Sequence, residues 1–160
     1  MKSAIVGLLL AASICSAENV NVTILANNAP ALVLTVPQSA KVTTKKDKTE
    51  IKTENMTLYI WSIPTAKTVA EGVAQIPNVI AHEVVQFAAT STNTITVAGA
   101  EAKHLMGRGV EADDYDPGTA DVVILTTGNA IFAACVHGEA NDAVRERKPM
   151  LDVLQTAKVP

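Results

Sequence analysis

Asp121-Val-Val-Ile-Leu-Thr-Thr-Gly-Asn-Ala-Ile-Phe-Ala-Ala-Cys-Val-His137 is the stretch on which the fold turns. Gly128-Asn129 suits a two-residue hairpin turn, which requires positive φ. The flanks, Asp121 to Thr127 and Ala130 to His137, are mostly apolar, so they read as antiparallel strands inside a sheet and covered on both faces.

Working upstream, Asp113 to Gly118 reads as a loop, and Ala100 to Ala112 as a long strand loosened by Gly107 and Gly109. Val84 to Thr90 and Thr94 to Ala98 suggest a strand pair around Ser91-Thr92-Asn93. Thr68-Val-Ala-Glu71 has the spacing of a capping box. Val69, Val73, Ile76 and Ile80 follow at helical intervals, with Pro77 expected to kink or split the helix. Met56 to Ile63 is apolar on both faces, Met56, Leu58 and Ile60 on one and Tyr59, Trp61 and Ile63 on the other. It therefore belongs inside the sheet.

Lys41 to Thr53 is β-branched and charged around a Lys46-Asp47-Lys48 turn. It reads as an exposed hairpin whose lysines blunt an open edge. Val20 to Leu25 and Ala31 to Val36 alternate as short strands separated by Asn27-Asn28-Ala29-Pro30. Downstream, the pattern is helical from Glu139, with Pro149 either kinking one helix or opening a second, and Val144, Leu151 and Leu154 facing the core. Short turns between neighbouring strands predict an α+β fold, a single antiparallel sheet with helices packed on it.

This order, from about Ala31 to Ala157, resembles the PsbP-like family of small exported or lumenal α/β domains. The early β-meander, the helix after the Trp61 strand, the Gly128-Asn129 hairpin and the closing helix carry the likeness. The resemblance implies an accessory, assembly or binding role, and it assigns no site residue.

The N-terminus supplies an address. Met1-Lys2, the apolar run Ala4 to Ala12 and the small residues of Cys15-Ser16-Ala17 have the layout of a secretory signal peptide. The run is shorter than the roughly 20 apolar residues of a bilayer span. Ile14 before Cys15 departs from the small residue that a lipidated cysteine needs. The expected domains are therefore a signal peptide over 1–17 and one α+β domain over 18–160. The expected location is periplasmic or secreted, with no membrane span after removal of the signal.

The chain has 13 Lys and Arg against 16 Asp and Glu, a formal charge of −3, and loses only Lys2 with the leader. Weak acidity argues against a nucleic-acid partner, which calls for a basic patch. Aromatic residues are 3% of the chain, too few for several stacking platforms. Past the leader Cys135 is the one thiol left, so an exported domain must rely on its apolar core rather than on a disulfide.

Two groups of side chains have the right chemistry for a site. Cys135-Val-His137-Gly-Glu139 puts a thiol, an imidazole and a carboxylate at alternate positions of a strand, where they share a face. They suit a metal or a Cys–His nucleophile pair, against the plain reading of Cys135 as core. His104 could meet His137 across strands and complete a zinc-type set with Glu139. The second group is Glu111-Ala-Asp113-Asp114-Tyr-Asp116-Pro-Gly118, with Asp121 just beyond. Such an acidic run suits calcium, although its spacing departs from an EF-hand and a solvated turn is the common meaning. The candidate metal ligands are thus His104, His137, Glu139, Asp113, Asp114 and Asp116. His82 reads as a helix-end residue. Tyr59 and Trp61 read as core packing or a ligand shelf, and Arg145, Arg147 and Lys148 as a wet helix face.

No phosphate loop, paired-cysteine zinc signature or nucleophile elbow is present. The expectation is an exported, non-catalytic accessory or binding domain that meets an envelope protein or a small ligand. The alternative is a calcium- or zinc-binding protein built on the residues above.

Overall fold

The computed structural model describes residues 18–139 and 141–160; the expected signal peptide lies outside the described residues. The elements in chain order are β1 (Asn19–Ala26), β2 (Ala29–Pro37), β3 (Lys41–Lys45), β4 (Lys48–Lys52), β5 (Thr57–Ser62), α1 (Val69–Val79), β6 (Val84–Val97), β7 (Ala100–Glu111), β8 (Pro117–Thr126), β9 (Ile131–Glu139) and α2 (Asp142–Leu154). No helix among the described residues is long and apolar enough to cross a membrane.

The strands make two antiparallel sheets, not one. The larger has seven strands in the order β3-β4-β5-β9-β8-β7-β6, and β1 and β2 form a separate hairpin. Ile24, Leu32, Leu34 and Val36 alternate along that hairpin and are all buried. They pack with α2 onto Leu58, Ile60, Val123, Phe132 and Ala134, so the hairpin lies across one face of the large sheet instead of lengthening it. Its link at the far side is the Val33–Lys158 bridge, in which each backbone N–H donates to the other's carbonyl at 2.9 Å.

The opposite face is covered by α1. Ile76 and Ile80 meet Trp61, Ile63, Leu105, Val122, Ile124 and Cys135 there. The two-sided pattern of the Met56 to Ile63 stretch is therefore realised, with β5 third from one edge of the sheet. The Thr68 side chain accepts from Glu71 N–H at 3.1 Å, as a cap should. The Glu71 carboxylate takes Lys67 N–H rather than that of Thr68. Pro77 does not end the helix, which runs two residues beyond it to Val79.

Three expectations are corrected. Ser91-Thr92-Asn93 is not a turn: it sits inside the 14-residue β6, and the chain reverses at Ala98-Gly99, where φ is 49° and 83°. Polar residues are acceptable at 91–93 because β6 is an edge strand and that stretch is exposed. The Lys41 to Thr53 hairpin is exposed on one side only, since Thr49 and Ile51 are buried. Val144 is 52% exposed and does not face the core; Ala143, Met150, Val153 and Leu154 carry that face of α2 instead. The Gly128-Asn129 turn forms as expected, with Gly128 at φ 86° in the first central position.

Candidate functional site

On the α1 side of the sheet, β9 presents His137 and β7 ends at Glu111. The turn after α1 supplies Glu83, and β4 supplies Lys48. His137 Nδ1 lies 2.7 Å from Glu111 Oε2, and Nε2 lies 3.7 Å from Glu83 Oε2. Lys48 Nζ donates to Glu83 Oε1 and also stands 5.1 Å from the centre of the Tyr59 ring. Tyr59 stacks on His137 with ring centres 5.2 Å apart, and on Trp61 at 5.9 Å. Lys48 and the His137 ring thus face two carboxylates beneath an aromatic cover.

The electrostatics follow from that packing. Burial alone would lower the His137 pKa, but the carboxylates of Glu83 and Glu111 outweigh it and the pKa is raised. Burial works to raise Glu83, yet the nearby His137 ring and the bond from Lys48 prevail and hold it below its usual value. The Tyr59 hydroxyl is pushed up by burial first and by Glu83 second. Both carboxylates thus favour the protonated form of His137 over the neutral one. Its Nε2 and Glu111 Oε1 are buried with no hydrogen-bond partner among the described residues.

Cys135 shares this face but not this chemistry. It is fully buried, and burial followed by the negative charge of Glu83, Asp121 and Glu111 raises its pKa well above the ordinary thiol value. The two nitrogens of His137 face carboxylates, not the sulfur. The pair lacks the thiolate character that a nucleophile needs.

His104 is on the other face. It lies opposite Val123 on β8, which lies opposite Ala134, and both belong to the α2-side core. His137 lies opposite Ala120, which belongs to the α1-side core. The sheet itself separates the two histidines. His104 Nε2 stands 3.5 Å from Asp121 Oδ2, and Arg147 of α2 donates to the same carboxylate. Burial would raise Asp121, but His104 and Arg147 together pull its pKa down. This triad ties α2 to β7 and β8.

The acidic run divides three ways. Glu111 goes to His137, and Asp121 goes to His104 and Arg147. Asp114 and Asp116, on the exposed turn, come together with Glu139 at the end of β9, with one oxygen of each within 4.8 Å of the others. Asp113 is exposed nearby on the same turn but outside that trio. Of the six candidate ligands, the structure brings together Asp114, Asp116 and Glu139, and keeps His104, His137 and Asp113 apart from them.

Next to the His137 cluster a cleft of about 400 Å³ opens between α1 and the β3–β4 turn. Lys45, Lys48, Trp61, Ser62, Asn78 and His82 line it, and Asp47 is the acidic side chain on its rim. Lys48 thus has one side toward the buried cluster and one toward the cleft.

Glu83 and Lys48 carry no sequence signal of partnership with His137. They come from a turn and a hairpin far from β9 in the chain. A usable hint existed in register: once Lys48 is placed opposite Trp61 and Glu50 opposite Tyr59, Lys48 must share the aromatic face.

An antiparallel α+β architecture with a hairpin and helix on one sheet face and a helix on the other defines the class of this chain. No protein-family model matches it, and no curated protein matches it in sequence. Among solved structures it is similar to PA94 of Pseudomonas aeruginosa, a protein of unknown function, with a TM-score of 0.49 and 12% identity over 88% of this chain and 96% of that one. It is also similar to LpqN, involved in cell envelope biogenesis of Mycobacterium tuberculosis, with a TM-score of 0.47 and 14% identity over 89% of this chain and 90% of that one. Both likenesses are too distant to assign a family or a function.

Proposed function

We propose that this chain is an exported, non-catalytic accessory domain that binds a small anion in the cleft beside α1. The observation that carries the reading is the convergence of Lys45, Lys48 and His82 with the polar Ser62 and Asn78 around Trp61. Cationic and polar groups placed over an aromatic wall suit a small carboxylate or phosphate. The groups with catalytic chemistry are occupied elsewhere, Cys135 by burial and His137 by its carboxylates. The layout resemblance to the PsbP-like family and the leader expected from the sequence at 1–17 support an accessory role in the periplasm or outside the cell.

Trp61 is the chain's one tryptophan, so its emission reports on the cleft directly. Titration with citrate, succinate and inorganic phosphate should give a saturable change with at least one of them. Lys45→Ala and His82→Ala should each weaken that ligand roughly tenfold, about 1.4 kcal/mol. A flat emission with every anion, or variants that titrate like the parent, would discard this reading.

A second reading has its own observation, the meeting of Asp114, Asp116 and Glu139. Three carboxylates at that separation suit calcium, a hard cation with oxygen ligands. Zinc through His104 and His137 has no such support, because the sheet lies between them. Calcium at a hundredfold excess over Kd should stabilise the fold by about 2.7 kcal/mol, and Asp116→Asn should abolish the shift. An unchanged melting temperature with calcium would end this reading.

A further inference from the structure

The two edges of the large sheet are unlike. β3 is five residues long and begins and ends with lysine, Lys41 and Lys45, an ordinary guard against pairing with another strand. β6, at the opposite edge, has 14 residues and no charge from Val84 to Val97. Its first half is irregular, with register shifts between Val85 and Ala88 and between Ala89 and Ser91, and Gln86 at φ 54°. From Ser91 to Val97 the pairing with β7 is regular.

Backbone polarity along this regular part can be assigned. The Thr96 carbonyl accepts from Gln155 Nε2 at 2.7 Å, so it faces away from β7. Opposed residues alternate between bonded and non-bonded pairs, which gives Thr94 and Thr92 the same outward direction as Thr96. Gln155 covers Thr96, whereas Ser91 to Thr94 are exposed.

We propose that β6 is the seam of a homodimer, in which two copies pair antiparallel about a two-fold axis at Asn93. The sequence of the edge is close to a palindrome about that residue: Thr90-Ser-Thr-Asn93-Thr-Ile-Thr96. Antiparallel self-pairing there sets Thr92 opposite Thr94 of the second copy and Thr94 opposite Thr92, and such threonine pairs stabilise a sheet. The outward N–H and C=O groups of both threonines gain partners. An acidic chain with a charge of −3 repels its own copies, and β6 is where two copies meet without opposing charges. Lys103 on β7 donates to Thr94 Oγ1 at 2.5 Å and is also paired with Glu101 at 3.3 Å, so its charge reaches the seam already balanced within its own copy. A two-fold seam closes on itself, whereas pairing β6 to the lysine-guarded β3 of another copy would propagate. The anion cleft lies at the other end of the strand order, so dimerisation leaves both clefts open.

Sedimentation of the purified protein over a concentration series should show a monomer passing to a dimer. Thr92→Lys/Thr94→Lys places four lysines across the seam and should give the monomer mass at every concentration, with an unchanged circular dichroism spectrum. Hydrogen exchange supplies a check that needs no variant: the Thr92 and Thr94 amides, free in the monomer, should gain protection as concentration rises. A wild-type monomer at the highest attainable concentration would overturn the proposal. So would a folded double-lysine variant that still dimerises, or a dimer whose Thr92 and Thr94 amides exchange as fast as in dilute protein, since either places the seam elsewhere.

Discussion

His137 sits between two carboxylates while Lys48 holds one of them, and each partner's charge depends on the other's. A raised histidine pKa stabilises the fold fully below the ordinary value of 6.5 and loses that contribution as pH climbs through the folded value. Glu83, lowered from 4.5, behaves oppositely: its contribution is present above 4.5 and lost as pH falls through its folded value. The cluster is therefore strongest in mildly acidic solution, between the two ordinary values. Urea midpoints measured across pH should peak in that window. His137→Gln should remove the decline on the alkaline side and cost about 3 kcal/mol at the peak, because two part-buried carboxylates then face each other with Lys48 paired to Glu83 alone. A profile with the same alkaline decline in His137→Gln would mean that another group sets it.

At the scale of elements, α1 matters for what its two ends do. The Thr68 cap fixes where the helix begins, and the turn beyond Ile80 delivers Glu83 to Lys48 and His137. Thr68→Ala should cost about 1 kcal/mol, seen as a lower urea midpoint at unchanged slope; a parent-like midpoint would show that packing alone sets the helix start. β6 shows why boundaries are harder to read than strands. Ser91-Thr92-Asn93 has turn-forming composition, but what decides the conformation is the long-range pairing of 91–93 with Leu105, Met106 and His104. Gly107 permits the irregular stretch next to it. A Cβ there would strike the Ala88 carbonyl and the Phe87 ring, so glycine lets the bulged strand close on β7.

At the scale of the molecule, much was legible because the hydrophobic pattern was strong. Met56 to Ile63 declared two apolar faces, Gly128-Asn129 declared its turn, and Thr68 to Glu71 declared a cap. The separate β1–β2 sheet was not legible, since alternation in Val20 to Val36 tells which side is buried and not which surface buries it. The site was legible only in part. The acidic turn and Glu139 converge because β9 and the turn before β8 end at the same rim. His104 and His137 could not be assigned to faces without the register of β7, β8 and β9. The cleft was invisible, because Lys45, Trp61 and His82 meet only when a hairpin, a central strand and a helix end are assembled.

The order of pairing also dictates a timetable. Tyr59 on β5 must wait for Cys135 on β9, and Val33 must wait for Lys158. The large sheet can form local hairpins early, but its two halves cannot join until β9 has been made, nor the β1–β2 hairpin be latched until Lys158 has been. Distant pairings of this kind slow folding. For a polypeptide proposed to leave the cytoplasm, such slowness is useful: it keeps the newly made chain thin enough to thread a membrane pore, and it reserves the finished shape for the far side.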